Sequence, residues 1–71
     1  MEITINVEEF GYVDEKTGIA YNIIGVYNTS DGKLLNTYKR DYATGTPAQH
    51  GNQIAKKYQE KGYKIYDIRI R

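Results

Sequence analysis

The sequence contains no cysteine and no tryptophan, and it has only one histidine and one proline. Without cysteine, neither disulfides nor a thiolate metal site can stabilise the chain. A single histidine cannot hold a metal by itself. It also forms no nucleophile–base pair with Ser30, the single serine, which lies in a predicted turn. No apolar run is as long as a membrane span or the core of a signal peptide. We therefore predict a cytoplasmic protein with no metal, no cofactor and no membrane segment.

Candidate catalytic groups are also few. His50 falls in the first turn of the helix predicted below, and we expect it to face solvent. Glu8 and Glu9 are adjacent, so in a regular strand their carboxylates point to opposite faces and form no acid–base pair. The seven glycines are scattered singly and make no phosphate-binding loop. We predict that the chain is not an enzyme.

The segment from Thr46 to Gly62 predicts a helix with both ends specified. Thr46 and Gln49 have the spacing of a capping box, and Pro47 fits the first helical position. Gly62 can take the left-handed conformation that ends a helix, with Tyr63 placed for the accompanying hydrophobic contact. Spacings of three and four residues predict a buried face made of Ala48, Gly51, Ile54, Ala55 and Tyr58.

Alternation of apolar and polar residues predicts four strands around this helix. The first starts at Ile3, and a bulge at Glu8 and Glu9 would return Phe10 and Tyr12 to its apolar face. The others cover residues 19–28, 33–43 and 64–71, with turns at residues 14–18 and 29–32. The second strand is apolar on both faces around residues 23–26, which places it inside the sheet.

This order predicts a single small α+β domain over residues 1–71, with the topology β-β-β-α-β. A three-stranded antiparallel meander is followed by one helix on one face of the sheet and by a C-terminal strand. If that last strand lies beside the first, the two are parallel and joined by a crossover connection. One sheet face then remains uncovered.

Charge is unevenly distributed although the net charge is only +1. Residues 1–31 contain six carboxylates and one lysine, whereas residues 32–71 contain nine lysines and arginines and three carboxylates. Either acidic and basic strands lie side by side and neutralise each other, or the charges form an electrostatic face. The eight tyrosines leave a similar choice, because tyrosine suits both a thin core and a binding surface.

Two functions fit these features. The first is a non-catalytic protein-interaction module, such as a regulator or inhibitor, that uses the open sheet face or an edge strand to bind a protein partner or to self-associate. The alternative is a single-stranded nucleic-acid-binding domain with a Tyr/Arg-rich sheet face. The candidate binding residues are Tyr38, Arg40 and Tyr42 on the third strand, and Arg69 and Arg71 on the fourth. For the nucleic-acid function all five must lie together opposite the helix, with Tyr66, Ile68 and Ile70 in the core.

Overall fold

Four strands and one α-helix follow one another in the predicted order in the computed structural model, which describes residues Met1–Arg71. The elements are β1 (Glu2–Val13), β2 (Ala20–Asn28), β3 (Leu34–Asp41), a short 3₁₀ helix (Tyr42–Thr44), α1 (Pro47–Glu60) and β4 (Lys64–Ile70). The strands form one sheet in the order β3-β2-β1-β4. β1 and β2 pair antiparallel, as do β2 and β3, whereas β1 and β4 are parallel. The α+β prediction and the inner position of β2 are confirmed.

The two hairpin turns use glycine where the backbone requires a positive φ. Gly18 has φ 71° and Gly32 has φ 73°, a region that residues with a Cβ rarely adopt. The Gly18 amide donates to the Asp14 carbonyl at 2.7 Å, and the Gly32 amide donates to the Asn28 carbonyl at 2.8 Å. Both turns therefore close at the predicted positions.

Both ends of α1 have the predicted chemistry. The Gln49 amide donates to Thr46 Oγ1 at 3.1 Å, and the Thr46 amide donates to Gln49 Oε1 at 2.9 Å, which completes the capping box. At the other end Gly62 has φ 96°, and the Tyr63 amide donates to the Tyr58 carbonyl at 3.1 Å. The Tyr58 and Tyr63 rings meet edge to face at 5.3 Å, the hydrophobic contact of a Schellman motif.

The core lies between α1 and the two inner strands. Its buried apolar residues are Ile3, Ile5, Val7, Ile24, Val26, Ile54, Ala55 and Tyr58. α1 approaches the sheet closely at Gly51, where an added Cβ would lie 2.9 Å from Val7 Cγ2. No helix in the structure combines the length and the apolar character that a membrane crossing requires.

The predicted faces of α1 and β4 need correction. Ala48 is exposed, while His50, expected in solvent, is 1% exposed. In β4 the residues that pack on the core are Ile65 and Ile68, not Tyr66 and Ile70. For Tyr66 the reason is an irregularity in the β1–β4 register: Ile3 pairs with Ile65 but Thr4 pairs with Asp67, so one residue is inserted and the alternation changes phase. Ile70 keeps the phase of Ile68 and pairs with the buried Val7, yet it is 49% exposed.

The bulge in β1 lies where the sequence predicts it, between Glu8 and Tyr12. Phe10 occupies it with φ 55°. The bulge does not return the aromatic residues to the core, because Phe10 and Tyr12 remain about half exposed, at 50% and 47%. Instead the Phe10 ring meets the Tyr42 ring edge to face at 5.3 Å.

Candidate interaction surfaces

Two of the three predicted binding residues of the third strand, Tyr38 and Arg40, lie on the helix side of the sheet. Tyr38 pairs with the buried Ile24, packs against the core, and its hydroxyl is 2.8 Å from the Tyr58 hydroxyl. Arg40 lies on the same side, because it is two residues along the strand from Tyr38 and its guanidinium lies over the Tyr38 ring. Tyr42 lies beyond β3, in the 3₁₀ helix.

Arg69 and Arg71 lie on the opposite face. Arg69 pairs with Asn6, and its Nε forms an ion pair with Asp67 at 3.1 Å. Arg71 lines a depression that contains Gly25 and Thr37. The five predicted residues therefore do not form one surface. Alternation correctly groups the side chains within a strand, but it does not say which face the helix covers.

We call the sheet face opposite α1 the open face. Its residues alternate with the buried ones along each strand, and they are mostly polar or aromatic. They include Thr4, Asn6 and Glu8 of β1, Ile23, Gly25 and Tyr27 of β2, Thr37 and Lys39 of β3, and Tyr66 and Arg69 of β4.

Two adjoining depressions, of about 150 and 220 Å³, occupy the middle of the open face. Asn6 and Tyr27 line both. The Tyr27 ring lies across Gly25, where an added Cβ would be 2.8 Å from Tyr27 Cε1. Asn6 Oδ1 is buried and has no hydrogen-bond partner, the only such side-chain atom in the structure. An orphaned acceptor of this kind costs about 1–3 kcal/mol, and a bound donor would recover that cost.

Aromatic residues stand at both ends of these depressions. At one end the Tyr12 and Tyr21 rings are 6.0 Å apart, and Lys39 Nζ lies 5.0 and 4.7 Å from their centroids. At the other end Tyr66 is 60% exposed and shares a depression with Arg69. Tyrosine and arginine are the residue types that protein interfaces enrich.

The open face carries charges of both signs. Glu8 and Arg71 line the same depression, and Asp67 is paired with Arg69. No ion pair joins the acidic β1 to the arginines of β4, although the two strands are neighbours, an arrangement that the sequence left open. The face is therefore electrostatically mixed rather than basic.

A second surface lies where α1 leaves β3 uncovered. We call it the flank, and it consists of Tyr38, Arg40, Lys57, Tyr58 and Lys61. Lys57 Nζ lies 5.0 Å and Arg40 Cζ 5.7 Å from the Tyr38 ring centroid, while Lys61 Nζ lies 5.4 Å from that of Tyr58. Burial, followed by the hydrogen bond with Tyr38, raises the pKa of Tyr58.

β3 is an edge strand, but its own side chains occupy part of its main chain. The Thr37 amide donates to Asn36 Oδ1 at 2.8 Å, and Arg40 Nη1 donates to the Lys39 carbonyl at 3.2 Å. Such local bonds protect an edge against pairing with another strand.

Sequence reasoning missed Asn6, Tyr27 and His50. The signal for Asn6 is present in the alternation of β1, where polar Thr4, Asn6 and Glu8 separate the buried Ile3, Ile5 and Val7. His50 carries no signal of its own. Its hydrogen-bond partner Asn22 does carry a signal, because a polar residue two positions before Ile24 falls on the buried face of β2. No family model, curated protein or solved structure matches the chain significantly.

Proposed function

We propose that the chain is a non-catalytic protein-interaction module that binds another protein through its open face. The observation that carries the proposal is the buried, unpartnered Asn6 Oδ1 between two depressions rimmed by tyrosines. A partner side chain can donate a hydrogen bond to Asn6 Oδ1 once the amide turns toward the depressions, and a tyrosine rim would exclude water around it.

The open face supports this role better than the edge of β3. The edge is partly occupied by the side chains of Asn36 and Arg40, which a peptide strand would have to displace. Binding to the open face breaks no hydrogen bond of this kind between a side chain and the main chain.

Another protein is a better occupant than a second copy of the chain. Permanent homodimer interfaces resemble a divided core and are strongly apolar. The inner strands present Thr4 and Asn6 on this face, with Ile23 as their single aliphatic residue there. This composition fits a partner that binds transiently.

Site-specific photocrosslinking tests the proposal. A benzophenone amino acid replaces exposed Tyr66 on the open face or, as the matched control, exposed Gln53 on α1. We expect position 66 to capture a partner protein that position 53 does not. The captured protein is then purified and titrated against wild-type chain, Asn6→Leu and Gln53→Leu.

Asn6→Leu should weaken that binding about tenfold or more, because the acceptor is lost at the centre of the contact, and Gln53→Leu should leave it unchanged. Crosslinking from position 53 alone would contradict the proposal. So would equal affinities of all three proteins. A crosslink from position 66 to a second copy of the chain would replace the hetero-partner by self-association.

Single-stranded nucleic acid is a second candidate, favoured by the exposed Tyr66 ring beside Arg69. A base can stack on such a ring, and Tyr66→Ala should then cost about 1–3 kcal/mol of binding. Titration with a single-stranded oligonucleotide at low ionic strength tests it, and affinity should fall steeply with added salt. The balance of charges on the open face supports this function less well than the first. Absence of binding at low salt would remove it.

A further inference from the structure

The flank concentrates positive charge that forms no ion pair with a carboxylate. Arg40, Lys57 and Lys61 lie over two neighbouring tyrosine rings. The single ion pair of the structure, between Arg69 and Asp67, is on β4 and does not involve them. Like charges repel when they are grouped in this way, and a bound anion would relieve the repulsion.

The hydroxyl groups of the flank also have a free donor. Asn36 Nδ2 donates to the Tyr38 oxygen at 3.1 Å, and the two tyrosine oxygens are 2.8 Å apart. Their mutual bond uses one of the two hydroxyl hydrogens. No acceptor in the structure receives the other. The flank therefore offers an O–H donor in addition to three cations.

We propose that the flank binds a carboxylate-rich, extended peptide segment of a partner protein. The guanidinium of Arg40 can hold a carboxylate through two hydrogen bonds, and the lysines and the free hydroxyl can receive neighbouring ones. This site is separate from the open face and does not depend on the function proposed for it.

A peptide fits the flank better than a nucleic acid. Nucleic acids gain affinity by stacking bases on aromatic rings. The Tyr38 and Tyr58 rings are packed edge to face on each other at 6.3 Å, and cations lie over both. Carboxylates need only the charges, and these remain accessible at the exposed Lys57 and Lys61.

The test measures binding of a fluorescein-labelled oligoglutamate peptide by anisotropy at low ionic strength. It compares wild-type chain with the triple variant Arg40→Gln, Lys57→Gln and Lys61→Gln. The matched control changes the same number of charges outside the flank, as Lys16→Gln, Lys33→Gln and Lys64→Gln. An oligodeoxythymidine of the same length serves as the nucleic-acid probe, and a thermal melt verifies that each variant is folded.

We expect the flank variant to lose about tenfold or more in affinity for oligoglutamate and the control variant about twofold or less. Tyr66→Ala, on the open face, should bind like the wild type. Equal losses in the two triple variants would overturn the proposal, because binding would then follow net charge alone. No binding of oligoglutamate by the wild type would overturn it too. Tighter binding of oligodeoxythymidine, lost in the flank variant, would make the flank a nucleic-acid surface instead.

Discussion

His50 lies at the centre of a chain of hydrogen bonds that has one consistent direction. The Asn22 amide nitrogen can only donate, so His50 Nδ1, at 3.0 Å, must accept. The imidazole is then neutral and protonated at Nε2, which donates to Thr44 Oγ1 at 3.0 Å. The Thr44 hydroxyl donates in turn to the Asp41 carbonyl at 2.7 Å. These bonds join β2, α1 and the 3₁₀ helix.

The same series of hydrogen bonds fixes the orientation of the Asn22 side-chain amide. Its oxygen accepts from the Phe10 amide at 3.3 Å, in the bulge of β1. The bulge, the 3₁₀ helix and the first turn of α1 are therefore held together by one polar cluster, in which Asn22 and His50 are buried. Such a cluster stabilises the fold only while each member has its partner.

His50→Leu should lower the free energy of unfolding by about 1–3 kcal/mol, because it leaves the Asn22 amide buried without an acceptor. Asn22→Leu should cost a similar amount. The double variant should cost less than the sum of the two single costs, because it leaves neither the Asn22 amide nor the His50 imidazole buried without its partner. Urea denaturation of the four proteins measures this coupling. Strict additivity would show that the two side chains do not act as a pair.

Tyr58 makes stability depend on pH in the alkaline range. Burial, and next the hydrogen bond with Tyr38, raises its pKa in the native protein above the ordinary value of about 10. The native state then holds the phenol proton more tightly than the unfolded chain does. The resulting stabilisation is complete below about pH 10 and is lost as the pH rises through the native pKa.

Tyr58→Phe should therefore flatten the fall in unfolding free energy above about pH 10. Urea denaturation at a series of alkaline pH values measures the slope. Tyr66→Phe removes an exposed phenol and should retain the slope of the wild-type protein. If the wild-type protein and Tyr58→Phe lose stability in parallel, the alkaline transition belongs to other groups.

At the scale of the elements, the start of α1 is stabilised by local chemistry. Thr46→Ala removes the oxygen that accepts from the Gln49 amide and should cost about 1 kcal/mol. Thr46→Ser keeps an oxygen at the same place and should cost much less. Thermal melts of both variants provide the comparison. Equal melting temperatures for the two would mean that the cap contributes nothing measurable.

In the middle of α1, close packing against the sheet, rather than helix propensity, determines which residue is tolerated. An alanine at position 51 would place its Cβ 2.9 Å from Val7 Cγ2 and 3.1 Å from Ile68 Cγ2. Overpacking of a buried site costs about 1–3 kcal/mol, which exceeds the gain of about 1 kcal/mol in helix propensity. We expect Gly51→Ala to lower the midpoint of urea denaturation, and Asn52→Ala, at an exposed neighbour, to leave it equal or higher. A stabilised Gly51→Ala would mean that the helix can move away from the sheet.

These elements show what local sequence determines. The cap at Thr46, the Schellman motif at Gly62 and the turns at Gly18 and Gly32 all follow from chemistry within a few residues, and all were predictable. The face of β4 was not, because its phase changes at an inserted residue that exists only relative to β1. His50 was missed for a similar reason, since its partner Asn22 is distant in sequence.

At the scale of the whole molecule, the same limit explains the candidate site. Grouping Tyr38 with Arg40 requires only the alternation of one strand. Deciding that Arg69 lies on the other side of the sheet requires knowing which face of each strand meets α1. The uneven charge of the sequence is consequently divided between a mixed open face and a basic flank, a division that strand order and helix placement create together.

The inner and edge positions of the strands also predict a gradient of stability across the molecule. β1 and β2 are inner strands with fully buried side chains at Ile5, Val26 and their neighbours. β3 is an edge strand, and Tyr38 is its one residue packed against the core. Strands with little burial open locally without unfolding the whole domain.

Native-state hydrogen exchange should therefore show β3 amides exchanging about tenfold faster or more than those at the centres of β1 and β2. The slow amides should report the same free energy as global unfolding in urea. Because two of the five flank residues, Tyr38 and Arg40, lie on β3, a bound oligoglutamate peptide should slow exchange in β3 and leave β1 and β2 unchanged. If β3 instead exchanges at the rate of β1 and β2, the domain opens as one cooperative unit, and the flank is as rigid as the core.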